Sequence, residues 1–219
     1  MENKIVLCVG DSLAMPREEV TFKSTWFYLL SLAKNNYHFV HNFRRAFTTD
    51  MLLSKDFLEN YNPGIVILQV GIVDCAPRLF KSSSTFIKLI NRTPKFINEP
   101  FWKLIKKHKK RSDKNADVSL ENFKFNLENF IKRAVKINIE KIILIKIQKP
   151  GLKMVNKNPY ILDSIKKYNS VFDDLKNKYN LIIVINPLNF ADENDYVEDG
   201  YHVNQNGFHK VFNDLNPLF

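Results

Sequence analysis

The stretch Ile5-Val6-Leu7-Cys8-Val9-Gly10-Asp11-Ser12-Leu13 decides how this chain reads. Its apolar run leaves no polar face, as in a parallel strand buried on both sides. Gly10 opens a turn that carries on to Pro16, so Ser12 stands just past the carboxyl end of the strand. Comparable runs recur at Tyr37 to His41, at Ile65 to Val70 after the Pro63-Gly64 breaker, at Lys141 to Ile147 and at Leu181 to Ile185. Segments of helical period lie between them. Phe22 to Lys34 puts Trp26, Leu29, Leu30 and Ala33 on one face, and Thr49 to Asn60 carries Met51, Leu52, Leu53, Phe57 and Leu58. Leu120 to Lys136 carries Phe123, Leu127, Phe130, Ile131 and Ala134, and Ile161 to Tyr179 and Asn204 to Leu215 complete the set. Strands alternating with helices predict an α/β fold: a doubly wound, mostly parallel five-stranded sheet with helices on both faces, a three-layer α/β/α arrangement of flavodoxin-like type. Sites in such sheets lie beyond the carboxyl ends of the strands. Ser12 follows the first strand, Val73 and Asp74 the third, and Asp199 with His202 the fifth by a longer loop, so all fall on one rim.

The 219 residues, 45% of them hydrophobic, suit a single domain spanning 1–219 with a well-packed core. The alternation breaks between Leu79 and Ala116. Phe86, Ile87, Leu89 and Ile90 suggest one helical piece, Pro94 and Pro100 interrupt it, and Phe101 to Ile105 runs into the cationic Lys106 to Arg111. This reads as a helical basic insertion at about 80–117. It suits a lid, a solvated face, or a peripheral contact with anionic membrane through Trp102 and the lysines.

The net charge of +10 raises nucleic acid as a partner, but a Lys-, Asn-, Ile- and Phe-rich composition accounts for it. Zinc spacings and RNA-binding signatures are missing, so no nucleic acid is expected. The two cysteines, Cys8 and Cys75, are too few for a disulfide framework and read as structural thiols; a reactive Cys75 is the alternative. His38, His41, His108 and His209 pair with no second ligand, so no metal site is expected. The first strand begins at about Ile5, which leaves no room for a secretory leader, and no apolar stretch is long enough to span a bilayer. A cytoplasmic, soluble protein is the expectation.

A serine hydroxyl becomes a useful nucleophile only beside a base and below donors that hold the oxyanion it creates. His202 is the candidate base, and Asp199, three residues earlier, can fix its tautomer. The Ser12 N–H can serve as one oxyanion donor. The plain alternatives are a helix cap for Ser12 and a surface turn for Asp199 and His202. Asp11 and Asp74 read as braces that hold the turns around Ser12 through backbone hydrogen bonds.

Three segments carry a resemblance. Gly10-Asp11-Ser12-Leu13, Gln69-Val70-Gly71-Ile72-Val73-Asp74 and Asp199 to Gly207, DGYHVNQNG, together resemble the blocks of the SGNH or GDSL-type hydrolases. The resemblance implies a serine ester hydrolase working through an acyl-enzyme, with Ser12, His202 and Asp199 catalytic, an acylated carbohydrate or other small ester as substrate, and no cofactor. Two departures concern the oxyanion hole. Val73 stands where the family carries Asn, and losing such a donor costs about 100- to 1000-fold in rate. The second block, Asn42 to Thr49, has no glycine. Gly71, Arg44, Arg45 and Arg78 are therefore the candidates for binding the oxyanion or the substrate, the arginines through guanidinium donors suited to anions. The altered block GIVDCAPR looks like a divergent bacterial branch tied to surface-polysaccharide biosynthesis, which points to removal of O-acyl, chiefly acetyl, groups from a carbohydrate. An O-acyltransferase acting on a surface glycan and a non-catalytic glycan-binding module are the alternatives.

Overall fold

The computed structural model describes residues 4–17, 19–80, 84–85, 89–90, 92–108 and 115–219. The opening apolar run is strand β1 (Lys4–Gly10). Strands β2 (Tyr37–Phe43), β3 (Ile65–Gln69), β4 (Lys141–Ile145) and β5 (Ile182–Ile185) join it in a five-stranded sheet of order β2-β1-β3-β4-β5. Every pairing is parallel. Alternate residues of the central strands feed two cores. Leu7, Val9, Val66, Leu68, Ile142 and Leu144 pack into one, with Phe123, Phe130 and Phe172. Val6, Cys8, Ile65, Ile67, Ile143 and Ile145 pack into the other, with Trp26, Leu30, Phe208 and Val211. Period-two geometry sends neighbouring side chains to opposite faces, which is why β1 and β3 are apolar throughout.

The first face is covered by α6 (Leu120–Lys136) and α8 (Ile161–Lys178), the second by α1 (Trp26–Ala33) and α9 (Gln205–Leu215). α6 has the predicted bounds because Ser119 caps its start, its side chain accepting from the Asn122 N–H. Three readings change. The segment Thr49 to Asn60 is two short helices, α2 (Asp50–Ser54) and α3 (Phe57–Tyr61), parted by the extended Lys55. Arg133 of α6 donates to the Leu52 and Lys55 carbonyls that the break frees. Short helices α4 (Ile72–Cys75) and α7 (Leu152–Lys157) follow β3 and β4. Helix α5 (Lys95–His108) runs through Pro100, where the sequence suggested an interruption. Proline removes a single N–H there, in the second turn of the helix. The rest of the predicted insertion lies largely outside the described residues, including Phe86, Ile87 and Lys109 to Arg111. Among the described residues, no helix is long and apolar enough to cross a membrane.

Both cysteines are free and buried. Burial pushes the Cys75 thiol above its ordinary range, and the neighbouring carboxyls Asp74 and Asp11 add to the effect, so its nucleophilic thiolate is disfavoured.

Candidate active site

The register places three chain segments side by side at the carboxyl rim. Gly10 pairs with Phe43 on one side and Gln69 on the other. The Asp11 N–H donates to the Gln69 carbonyl and the Arg44 N–H to the Gly10 carbonyl, extending the ladder into the turns. A Cβ on Gly10 would lie 3.0 Å from the Gln69 carbonyl oxygen and 3.2 Å from the Phe43 ring, so the close approach of the three segments needs glycine. Ser12 opens a single 3-10 turn, Ser12–Ala14, in which Asp11 is the cap and accepts from the Leu13 N–H at 2.8 Å.

His202 reaches this rim from the other end of the chain. Its turn is built by Asp199, whose Oδ1 accepts from the Tyr201 and His202 N–H groups at 2.7 and 2.9 Å. Gly200, at φ 68°, supplies the left-handed step. Val203 is buried behind it, and Asn204 caps α9 by accepting from the Asn206 and Gly207 N–H groups. The turn is also tied to the loop after β4, through Gly151 N–H to the Gly200 carbonyl and the Gln148 amide to the Tyr201 carbonyl.

The result is a hydrogen-bonded chain. The Ser12 hydroxyl is 3.1 Å from His202 Nε2, and His202 Nδ1 is 2.6 Å from Asp199 Oδ2. Burial lowers the His202 pKa from its ordinary 6.5; the Asp199 bond opposes this, and the charges of Arg17 and Arg45 reinforce it. Burial raises the Asp199 pKa, but the His202 ring and the Tyr201 and His202 N–H groups outweigh it and hold the carboxyl below its ordinary value. At neutral pH the pair is therefore a carboxylate beside a neutral imidazole, whose Nε2 is free to take a proton if Nδ1 carries the hydrogen.

The other predicted residues divide. Asp74 is buried and its Oδ1 accepts from both the N–H and the hydroxyl of Thr49, at 2.8 and 2.6 Å. Asn126 of α6 donates to the Thr49 hydroxyl and to Asp50, so the turn after β2 is braced from two sides. Gly71 is buried at φ 117° as the cap of α4. Val73 packs into the core. Arg78 forms an ion pair with Asp117 at 2.6 Å, and it also donates to the Val73 carbonyl. Arg44 and Arg45 are exposed; Arg45 lines a cleft beside Asp199, whereas Arg44 is not among its lining residues.

Two residues at the rim were not singled out in the sequence. Ala46 has φ 57°, the left-handed conformation that a glycine would ordinarily take after β2. Arg17 donates to His202 Nε2, the nitrogen that also faces Ser12. It is carried there by a short antiparallel bridge between Arg17 and Val20, anchored by the buried Val20 side chain. Among the described residues, no three His, Cys, Asp or Glu side chains group as a metal ion would require.

Asp11 and Asp74 sit behind Ser12 with Oδ2 atoms that are buried and lack partners. Burial and the charge of Asp74 push Asp11 up to about 7; burial and Asp50 push Asp74 to about 6. Both folded-state values lie above the ordinary 3.8. The stability these groups contribute is therefore complete below pH 3.8, lost progressively above it, and gone once pH has risen through about 6 to 7. Asp11→Asn keeps an acceptor for the Leu13 N–H and removes the charge. It is expected to raise stability to urea by about 2–4 kcal/mol at about pH 8.5, the gain shrinking toward zero near pH 3. A gain equal at both pH values would show that Asp11 ionises normally in the folded protein.

By sequence, the chain matches no known family pattern and no curated protein. By structure, it is similar to a protein of the G-D-S-L family from Desulfitobacterium hafniense DCB-2, at 16% identity and a TM-score of 0.67, over 99% of this chain and 100% of that one. It is also similar to the esterase EstA from Pseudoalteromonas sp., at 15% identity and TM-score 0.63, over 98% and 96%. An acetylxylan esterase, Axe2, from Geobacillus stearothermophilus matches at 11% identity and TM-score 0.60, over 97% and 92%. At these identities the likeness is one of fold.

Proposed function

We propose that the chain is a serine ester hydrolase in which Ser12 is the nucleophile, His202 the general base and Asp199 the group that orients it. The observation that carries this is the unbroken chain from the Ser12 hydroxyl through His202 Nε2 and Nδ1 to Asp199, at 3.1 and 2.6 Å. Each link has a chemical task. Asp199 accepts the Nδ1 hydrogen, which leaves the Nε2 lone pair facing Ser12. As the Ser12 oxygen bonds to the acyl carbon, its proton passes to Nε2 and the carbonyl oxygen takes the negative charge. Collapse of that intermediate expels the alcohol, which leaves with the proton from Nε2. Water then attacks the acyl-Ser12 ester, again losing a proton to His202, and the released serine oxygen regains it.

The oxyanion is held by backbone N–H groups at the rim. The Ser12 N–H is one; the others come from the adjoining turns, at the left-handed Ala46 and at Gly71. Val73 contributes no donor, and backbone groups take the place of the side-chain amide. Asp11 and Asp74 act indirectly, by bracing the Ser12 turn and the Thr49 turn.

For substrate, an O-acetyl or related O-acyl group on a carbohydrate is the preferred class. Its support is the GIVDCAPR block and the shared fold with proteins described as esterases, one of them an acetylxylan esterase.

Intact-mass measurement after fluorophosphonate treatment tests the nucleophile. One adduct is expected on the wild type and none on Ser12→Ala. A folded wild-type protein that takes no adduct, or a mutant that still takes one, would overturn the assignment of Ser12.

A further inference from the structure

Beside Asp199 the surface opens into a cleft of about 580 Å³ whose lining includes the cations Arg17, Arg45, Lys153 and Lys157 and the acids Glu19 and Glu198. Its charges are unequally matched. Lys153 pairs with Glu198 at 3.0 Å, and Asp199 is taken up by His202. That leaves Glu19 as the remaining acid in a cleft that also holds Arg17, Arg45 and Lys157. Among the described residues, neither Arg45 nor Lys157 has a carboxylate partner. Arg17 and Arg45 are close enough that the charge of Arg45 lowers the pKa of Arg17, after the larger effect of burial. Arg17 Nε is shielded from solvent and has no acceptor, although its Nη2 is bonded to His202. A buried charged donor without an acceptor is costly, and two neighbouring guanidinium groups that line one cleft call for an anion.

We infer that this cleft is a recognition site for an anionic substituent, a carboxylate or phosphate, carried by the ester substrate, with Arg17, Arg45 and Lys157 as its ligands. The chemistry rests on the esterase reading; the anion site rests on the cleft. Arg17 links the two. An imidazole nitrogen has one lone pair, and Arg17 and the Ser12 hydroxyl both donate to Nε2. While Arg17 shares that lone pair, His202 is a weaker base for the proton of Ser12. An anion in the cleft offers Arg17 a stronger, charged acceptor and draws it off Nε2. The substituent is thus bound and at the same time strengthens the base, so the site selects substrates that carry a charge near the ester.

The experiment compares kcat/KM for O-acetylglucose, the methyl glycoside of O-acetylglucuronate and O-acetylglucose 6-phosphate. At least one anionic ester is expected to exceed the neutral one by about tenfold, the scale of one charged hydrogen bond, and the two arms tell carboxylate from phosphate. The ratio is expected to fall with added salt and in Arg45→Ala and Lys157→Ala, and to stay unchanged in Lys166→Ala, an exposed lysine elsewhere on the surface. A second readout needs no turnover. In Ser12→Ala, NMR titration of the His202 ring is expected to give a higher pKa with glucuronate or glucose 6-phosphate than with glucose, and no such difference in the Ser12→Ala, Arg17→Met double variant. Hydrolysis with a ratio near one, together with an unmoved His202 titration, overturns the anion site and leaves the esterase. A ligand-dependent titration without any hydrolysis supports the anion site and overturns the esterase.

Discussion

Replacing His202 by alanine is expected to lower kcat/KM for a small activated ester by at least about four orders of magnitude while the protein stays folded. The loss is large because, among the described residues, His202 Nε2 is the group at hydrogen-bond distance that can take the Ser12 proton. The fold survives because the turn is set by backbone donors to Asp199 and by the buried Val203. Asp199 separates the effects further. Asp199→Ala leaves water to partner Nδ1, since the side chain is half exposed. Asp199→Asn can still accept from the Tyr201 and His202 N–H groups, but its amide would donate to Nδ1 and drive the hydrogen to Nε2. It is therefore expected to be the slower of the two variants, despite the smaller change in shape. The pH profile follows from the same atoms. His202 acts as base only when neutral, and its pKa lies below 6.5, so activity is expected to rise with pH through a midpoint below that value and then level off. A His202→Ala variant within about tenfold of the wild type would remove His202 from the mechanism.

The sheet could be read from the sequence because a parallel strand covered on both faces must be apolar at every position, as Val6 to Val9 and Ile65 to Leu68 are. The convergence of Ser12 with Asp199 and His202 was legible for a related reason: each follows the end of a strand, and parallel order brings those ends to one rim. What escaped depends on contacts between distant residues. The break between α2 and α3 is stabilised by Arg133, which no local pattern in Thr49 to Asn60 announces. Helix α7 is a short run with no buried residue, yet it brings Lys153 and Lys157 to the cleft. Arg17 gains its place from the bridge to Val20 and from a histidine at the far end of the chain. Ala46 is a case in which the residue type gives no signal: the block Asn42 to Thr49 has no glycine to mark a turn, and the backbone takes the left-handed step with alanine.

Gly71→Ala is expected to destabilise the protein by about 3 kcal/mol and to reduce activity as well. Two costs combine. At φ 117° the backbone is in a region that side chains rarely adopt. The added methyl would also lie 2.7 Å from Ile147 Cδ1, 2.9 Å from Ile147 Cγ1 and 3.2 Å from the Phe123 ring, all within the packed core. A double-mutant cycle divides them. Ile147→Ala removes the colliding atoms but not the backbone strain, so Gly71→Ala should cost less in that background, by about 1 kcal/mol or more. The contrast is Gly64→Ala. Its methyl would come closer still, 2.5 Å from Lys4 Cγ, but the obstacle is a half-exposed flexible side chain and the backbone is not left-handed. Urea denaturation should therefore show little change at Gly64 and a large one at Gly71, the reverse of what the shortest distances alone suggest. Activity adds a separate readout. If the Gly71 N–H helps to hold the oxyanion, a shift of the α4 cap lowers kcat more than it raises KM, even at temperatures where the variant is fully folded. A Gly71→Ala enzyme with unchanged kcat would leave the Ser12 and Ala46 N–H groups as the oxyanion donors and reduce Gly71 to a packing requirement of the rim.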